Sequence, residues 1–323
     1  MVTFSRSAEL HLVGAGGEPV DLWRTLVSHG IASLPPMFLD EEARTLETTL
    51  PVAGGRPRTV RIAEAGPSRA AVATMGRPPG RAARAGIIAT VRHMLRLDED
   101  LSEFYAVAAG DPALAWVTAG AGRMLRSPTV FEDVVKTVCT TNCSWALTQR
   151  MVAGLVGHLG ETAPGAPPDG HSMRAFPTAA AMAAADDALY RDVVRAGYRG
   201  PYLRSLALSV AEGTVDLDRL PPGGGLTEDE VEAALLALPG VGPYAAAHIM
   251  MLLGWYSRLI LDSWTRPTYA RLVGRRSATD AAIARRFRRF GRYAGLAFWL
   301  FLTRDWVEEA TEQQAEAFSE PSA

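Results

Sequence analysis

Lysine is nearly absent from this sequence: of its 33 lysines and arginines, Lys136 alone is a lysine. Chemistry that needs a side-chain amine as nucleophile, such as a Schiff base with a sugar, therefore has a single candidate. Cysteine is as scarce, with only Cys139 and Cys143. Four residues apart in a helical pattern, they point the same way, which is poor geometry for a disulfide; packing as two small core residues is the simpler reading. Two thiols also fall short of the four ligands of an iron–sulfur cluster or an all-cysteine zinc site, and no His-rich spacing makes up the difference. Long apolar runs are missing too. The longest, around Ile249–Leu253, is interrupted by Gly254, far short of the roughly 18 residues a membrane span needs. The N-terminal MVTFSRSAEL has no apolar segment of the signal-peptide kind. These absences lead to the expectation of a soluble, intracellular, cytoplasmic protein that requires no metal cofactor.

Net charge is only −2, which taken alone argues against a nucleic-acid binder. The distribution is less even. Eight arginines, from Arg266 to Arg289, fall between Arg258 and Arg292, where the acidic residues are Asp262 and Asp280. Such a face can hold phosphates, although a solvated arginine-rich helix has the same pattern. Length allows two domains. Residues 1–78 read as a small α+β unit, with candidate strands at Glu9–Val13, Thr45–Pro51, Thr59–Ala63 and Ala70–Thr74 between Gly/Pro turns. A helical period follows over 79–309, with helices expected at Ala82–Leu97, Val130–His158, Tyr202–Glu212, Glu228–Ala237, Tyr244–Leu253 and Ala281–Thr303, among others. A frayed acidic tail is expected over 310–323. The fold class is thus α+β: a small N-terminal antiparallel β-sheet domain followed by an all-α body.

The segment from Thr227 to Asp262, TEDEVEAALLALPGVGPYAAAHIMMLLGWYSRLILD, carries the chemistry. Thr227 and Glu230 form a capping box that opens an amphipathic helix ending at Leu238–Pro239. Gly240-Val241-Gly242 then turns into a second helix with Pro243 in its first turn. Two glycines let the backbone approach another molecule, Val241 packs between the helices, and the second helix aims free amides and a positive dipole end outward. A phosphate fits that arrangement, and so does an ordinary αα-hairpin turn. Twenty residues beyond Gly242, Asp262 ends the apolar stretch Leu259-Ile260-Leu261. A carboxylate there needs partners or a task. It can activate a water or stabilise a cationic sugar, it can cap a helix starting at Ser263, or it can do both.

LPGVG followed by an apolar helix, with an aspartate about twenty residues on, resembles the signature of the helix-hairpin-helix DNA glycosylases. Cys139-Thr140-Thr141-Asn142-Cys143-Ser144 and Ala196-Gly197-Tyr198-Arg199-Gly200-Pro201-Tyr202 resemble, in order and spacing, two further segments of the 8-oxoguanine branch. The resemblance, over roughly 122–306, implies a helix-hairpin-helix body that flips a damaged base out of double-stranded DNA. It implies Asp262 as the catalytic carboxylate and the Gly240 and Gly242 amides as a phosphate grip. Backbone carbonyls of Leu236, Leu238 and Val241 would hold a monovalent cation, Na+ or K+. Tyr198 would be the wedge, with Asn142 and Arg199 at the widowed base.

Departures from the pattern are informative. Where bifunctional members carry the Schiff-base lysine stands Tyr244, and Lys136 lies in a different helix. A monofunctional enzyme is therefore expected. An aromatic at that position resembles the alkylpurine branch, and His248, on the same helix face as Tyr244, falls where both branches line the base pocket. Leu147 replaces an arginine that reads the opposite cytosine in the oxidised-guanine branch. An alkylated purine is thus the first expectation. An oxidised purine, another lesion, a non-catalytic damage-binding module on the same scaffold, and an unrelated helical protein with a fortuitous hairpin are the alternatives. One site per chain makes a monomer sufficient.

Overall fold

The structure, a computed structural model, describes residues 3–166 and 173–306. The tail expected from residue 310 and part of the loop expected at Pro164–Gly170 lie outside them. Five strands form one antiparallel sheet in the order β1-β5-β4-β3-β2: β1 (Phe4–His11), β2 (Phe38–Asp40), β3 (Thr45–Val52), β4 (Gly55–Glu64) and β5 (Arg69–Met75). Alternation sets the buried face. Leu46 and Thr48 of β3 pair with Ile62 and Val60 of β4, Ile62 pairs in turn with Val72 of β5, and all five are buried. β2, three residues long, is too short to carry a period and escapes sequence reading. After α1 (Leu22–Leu26) the chain returns through the sheet to α2 (Arg81–Met94). Ile87, Val91 and Met94 of α2 close the core beneath the strands, so that core reaches past residue 78.

The rest is helical: α3 (Ser102–Ala109), α4 (Val130–Thr140), α5 (Trp145–Leu159), α6 (Ala179–Ala184), α7 (Arg199–Ala211), α8 (Glu228–Leu236), α9 (Pro243–Leu253), α10 (Thr265–Leu272), α11 (Asp280–Phe287) and α12 (Ala294–Thr303). The axis is α9. Its Ala245, Ala246, Ile249, Met250 and Leu253 enter one core with α4, α5, α7 and α8, while Ala247, Met251 and Leu252 enter a second with α3, α11 and α12. A helix apolar on nearly every side is buried on nearly every side. The expected capping box at Thr227 and Glu230 is formed, and Pro243 sits at the start of α9.

Two long helices expected from the sequence are broken. Val130–His158 divides at Thr141–Ser144, where Asn142 takes a left-handed conformation (φ 47°) and Ser144 caps α5; asparagine tolerates that conformation better than most residues. Ala281–Thr303 divides at Gly291 (φ 54°, ψ −125°), which leaves a 3-10 turn between α11 and α12.

One buried ion pair ties the sheet layer to the helical body. Arg123, wholly buried, pairs with Glu18 and donates to the carbonyls of Arg96 and, at 3.0 Å, Glu99. Glu18 also accepts the Leu101 amide at 2.8 Å. Arg123→Met leaves that carboxylate buried without its cation and should cost about 3–5 kcal/mol. Urea unfolding would show this as a lower midpoint at unchanged slope. A loss below about 1 kcal/mol, the scale of exposed pairs, would mean that water reaches Glu18.

Candidate active site

Where α9 begins, between the two helical cores and the sheet layer, a cleft of about 1210 Å³ opens. It exceeds the usual small-ligand pocket, so it has room for an extrahelical nucleotide. The hairpin forms one rim. Gly240 has φ 81°, and a Cβ there would stand 3.0 Å from the Tyr202 ring and 3.3 Å from Val138, so conformation and space both require glycine. Val241 is buried between the helices, as its apolar character led one to expect. Among the described residues, the amides of Gly240, Gly242 and Tyr244 carry no backbone hydrogen bond. They form the positive end of α9 at the cleft's edge.

Asp262 stands half-buried in the lining of the same cleft. Its Oδ1 accepts the amides of Trp264 at 2.8 Å and Thr265 at 2.6 Å, and its own amide donates to Thr265 Oγ1 at 2.8 Å. It therefore caps α10, and the cap is reciprocal. Oδ2 takes no hydrogen bond among the described residues, which leaves one oxygen for work while the other fixes the group in place.

The wall of the cleft is aromatic. Tyr244 and His248, one turn apart on α9, both line the cleft as expected, with ring centroids 6.1 Å apart. His248 meets Trp299 edge-on at 6.1 Å and His29 at 5.7 Å. Trp264 leans on Trp299 at 5.8 Å. Trp145 and Trp264 were not singled out from the sequence, whereas His29 and Trp299 fall in the two distant segments, 29–36 and 298–306, that were expected to help shape the pocket without any one residue in them being placed. The nearest signals were a tryptophan directly after each of Cys143-Ser144 and Asp262-Ser263. Gly30 is needed for Trp145: a Cβ on it would come within 2.7 Å of that indole.

The wall is also uncharged. Burial lowers His248 to about 4, against a smaller upward pull from Asp262. Burial, then the neighbouring His248, lowers His29 to about 3. Burial raises Tyr244 above its ordinary value, so its hydroxyl keeps its proton. Lys136 contributes to the lining, which sequence reasoning did not foresee. Its ammonium nevertheless is sealed from solvent, 2.6 Å from the equally buried Glu132 and 5.8 Å from the Phe176 ring. The two charges touch without hydrogen-bond geometry.

On the outer face, Tyr198 is 55% exposed beside the cleft, and Asn142 Nδ2 donates to its hydroxyl at 3.4 Å. Arg199 departs from expectation. It is buried, bound to the Thr141 carbonyl, and stacked under the Tyr198 ring at 4.5 Å. It holds the Tyr198 ring and the Thr141–Asn142 turn rather than reaching outward. The arginine-rich segment is likewise less free than its sequence suggested. Arg258, Arg289 and Arg292 pair with Asp229, Asp111 and Glu103, carboxylates brought in from other segments. Arg271, Arg275, Arg276, Arg285 and Arg288 remain exposed and unpaired among the described residues.

No sequence-family model matches the chain, and no curated protein sequence matches it. Solved structures do. A 3-methyladenine DNA-glycosylase from Archaeoglobus fulgidus superposes with a TM-score of 0.71 at 20% identity, over 93% of this chain and 99% of the other. The 8-oxoguanine glycosylase/lyase of Clostridium acetobutylicum superposes with a TM-score of 0.68 in its apo-form, at 18% identity over 94% and 98% of the two chains. In complex with double-stranded DNA containing cytosine opposite 8-oxoG, the same enzyme gives 0.70 at 18% identity, over 96% and 98%. The chain thus has the helix-hairpin-helix glycosylase fold along nearly its whole length.

The neutral histidines have a consequence for stability. An unfolded chain binds protons on His29 and His248 near pH 6.5, and the folded chain does not until about 3 and 4. The fold must therefore lose stability as pH falls below about 6.5. Asp133, raised by burial to about 6, takes up its proton earlier in the fold and offsets part of that loss on the acid side. Tm should be flat above about pH 7 and fall below it, and His248→Phe should make the fall shallower. An identical slope in the variant would mean that His248 is protonated in the fold as easily as in water.

Proposed function

We propose that this protein is a monofunctional DNA glycosylase of base excision repair, acting on an alkylated purine in double-stranded DNA and leaving an intact abasic site. The observation that carries the reading is the cleft's composition: π faces and one carboxylate, with no accessible cation. The fold it shares with glycosylases supplies the context.

The damaged nucleotide turns out of the duplex, with Tyr198 filling the gap it leaves. Its 3′ or 5′ phosphate rests on the free amides of Gly240 and Gly242. The base enters between Tyr244 and the Trp264–Trp299 wall. An alkylated purine that carries positive charge gains there from the ring quadrupoles, and neutral histidines do not repel it. The C1′–N bond breaks with its electron pair leaving on the base, and the sugar becomes cationic. Asp262 Oδ2 faces that charge without having to reorganise, because Oδ1 is already tied to α10. A water then adds its oxygen to C1′ and gives its proton to the carboxylate or to solvent. No amine competes with that water, since the Lys136 ammonium is engaged with Glu132. The carbonyls of Leu236, Leu238 and Val241 would hold a monovalent cation, and the Leu238 oxygen, which accepts one hydrogen bond from the Val241 amide at 3.2 Å, keeps a second lone pair for it. Na+ or K+ there would add positive charge beside the phosphate. One cleft serves one lesion, so a monomer suffices, in whichever compartment holds the DNA.

Duplexes carrying single lesions test the proposal. Strand breaks should appear with 7-methylguanine or 3-methyladenine, only after hot alkali, and borohydride should trap no covalent adduct. Asp262→Asn should keep DNA affinity and lose about a hundredfold or more in rate. Breaks without alkali, or a trapped adduct, would overturn the monofunctional reading. Tight binding with no excision of any lesion would make the protein a damage sensor.

A further inference from the structure

His29 reaches the cleft from the sheet layer, and three hydrogen bonds fasten the dipeptide that carries it. Its Nε2 lies 2.5 Å from the Leu125 carbonyl. Ser28 Oγ accepts the Leu125 amide at 2.9 Å, and the Ser28 carbonyl accepts Trp299 Nε1–H at 2.8 Å. The ring is 5% exposed and packs edge-on against His248. Such a clamp holds a side chain in one pose before any ligand arrives.

The clamp also decides where the proton sits. A carbonyl only accepts, so Nε2 carries the hydrogen. Burial keeps the ring neutral, with His248, Lys136 and Arg96 as the surrounding groups that add to the effect. Nδ1 is then left with a lone pair, and no donor meets it among the described residues. The cleft contrasts here with His248, whose Nδ1 is sealed away from solvent without a partner. His29 thus brings to the cleft an acceptor whose tautomer the Leu125 carbonyl fixes and whose neutrality burial maintains against the upward pull of that same bond.

We propose that His29 is a specificity-determining residue: its Nδ1 accepts a hydrogen bond from an N–H on the edge of the flipped base, so the cleft selects damaged purines that retain an edge amine or protonated ring nitrogen. This rests on the glycosylase reading. Alkylated purines such as 3-methyladenine and 7-methylguanine keep such donors. In 1,N6-ethenoadenine both N1 and N6 are bridged, and the His29 Nδ1 lone pair finds no N–H on that edge to accept. An acceptor left unpaired discriminates about tenfold to a hundredfold.

Single-turnover excision of 3-methyladenine, 7-methylguanine and 1,N6-ethenoadenine, each divided by its uncatalysed rate, tests this in wild type, His29→Phe and His29→Gln. Wild type should favour the two N–H-bearing lesions over ethenoadenine by about tenfold or more. His29→Phe should erase that preference. His29→Gln, whose amide can donate to Leu125 and still accept from the base, should restore much of it. The ratio of rates is independent of how much of a variant is folded. Equal normalised rates in wild type, or a preference unchanged in His29→Phe, would overturn the inference while leaving the glycosylase reading intact. No excision of any lesion would overturn that reading and the inference with it.

Discussion

In the proposed reaction a carboxylate must answer a short-lived positive charge, which it does best if already in place, and in this chain the start of a helix keeps Asp262 in place. Asp262 gives one oxygen to the amides of Trp264 and Thr265, and Thr265 returns its hydroxyl to the Asp262 amide. These bonds fix the direction of the carboxylate. The second oxygen takes no hydrogen bond among the described residues of a side chain that lines the cleft. In the proposed reaction, structural and chemical duties thus fall on different atoms of one side chain. The hairpin's free amides line the same cleft, so the proposed phosphate and sugar contacts fall within one opening.

The cleft's neutrality follows from burial rather than from an absence of basic residues. Two histidines are held uncharged by desolvation, and the single lysine is neutralised by Glu132. Desolvation of an unpaired cation would be far more costly than either arrangement. What remains accessible is a set of rings whose faces are electron-rich, beside a carboxylate. Charge and shape of the cleft therefore agree with the proposed guest, a flat base with reduced electron density.

Much of this was legible in the sequence where the signal is local. The glycine pair, Pro243, the capping box at Thr227 and the spacing to Asp262 each act within a few residues, and each appears where the sequence placed it. The face shared by Tyr244 and His248 follows from helical period alone. Features that depend on distant segments were not legible. His29 joins the cleft because Leu125 and Trp299 grip it, and nothing near it in sequence announces those contacts. Arg199 was expected at the widowed base, but the Thr141 carbonyl draws it inward. The long helices written through Asn142 and Gly291 failed because one left-handed residue interrupts a period that the side chains otherwise sustain. The arginine run looked unopposed only because Asp111, Glu103 and Asp229 come from elsewhere.

The most direct test of the account asks whether Asp262 stabilises a cationic sugar rather than merely capping a helix. Affinity should be measured for two duplexes, one with a cationic pyrrolidine in place of the damaged nucleoside's sugar and one with the neutral tetrahydrofuran equivalent. The account predicts that wild type binds the cationic duplex about a hundredfold more tightly, and that Asp262→Asn binds the two alike. Equal affinity of wild type for both duplexes, or a preference that survives in Asp262→Asn, would contradict it.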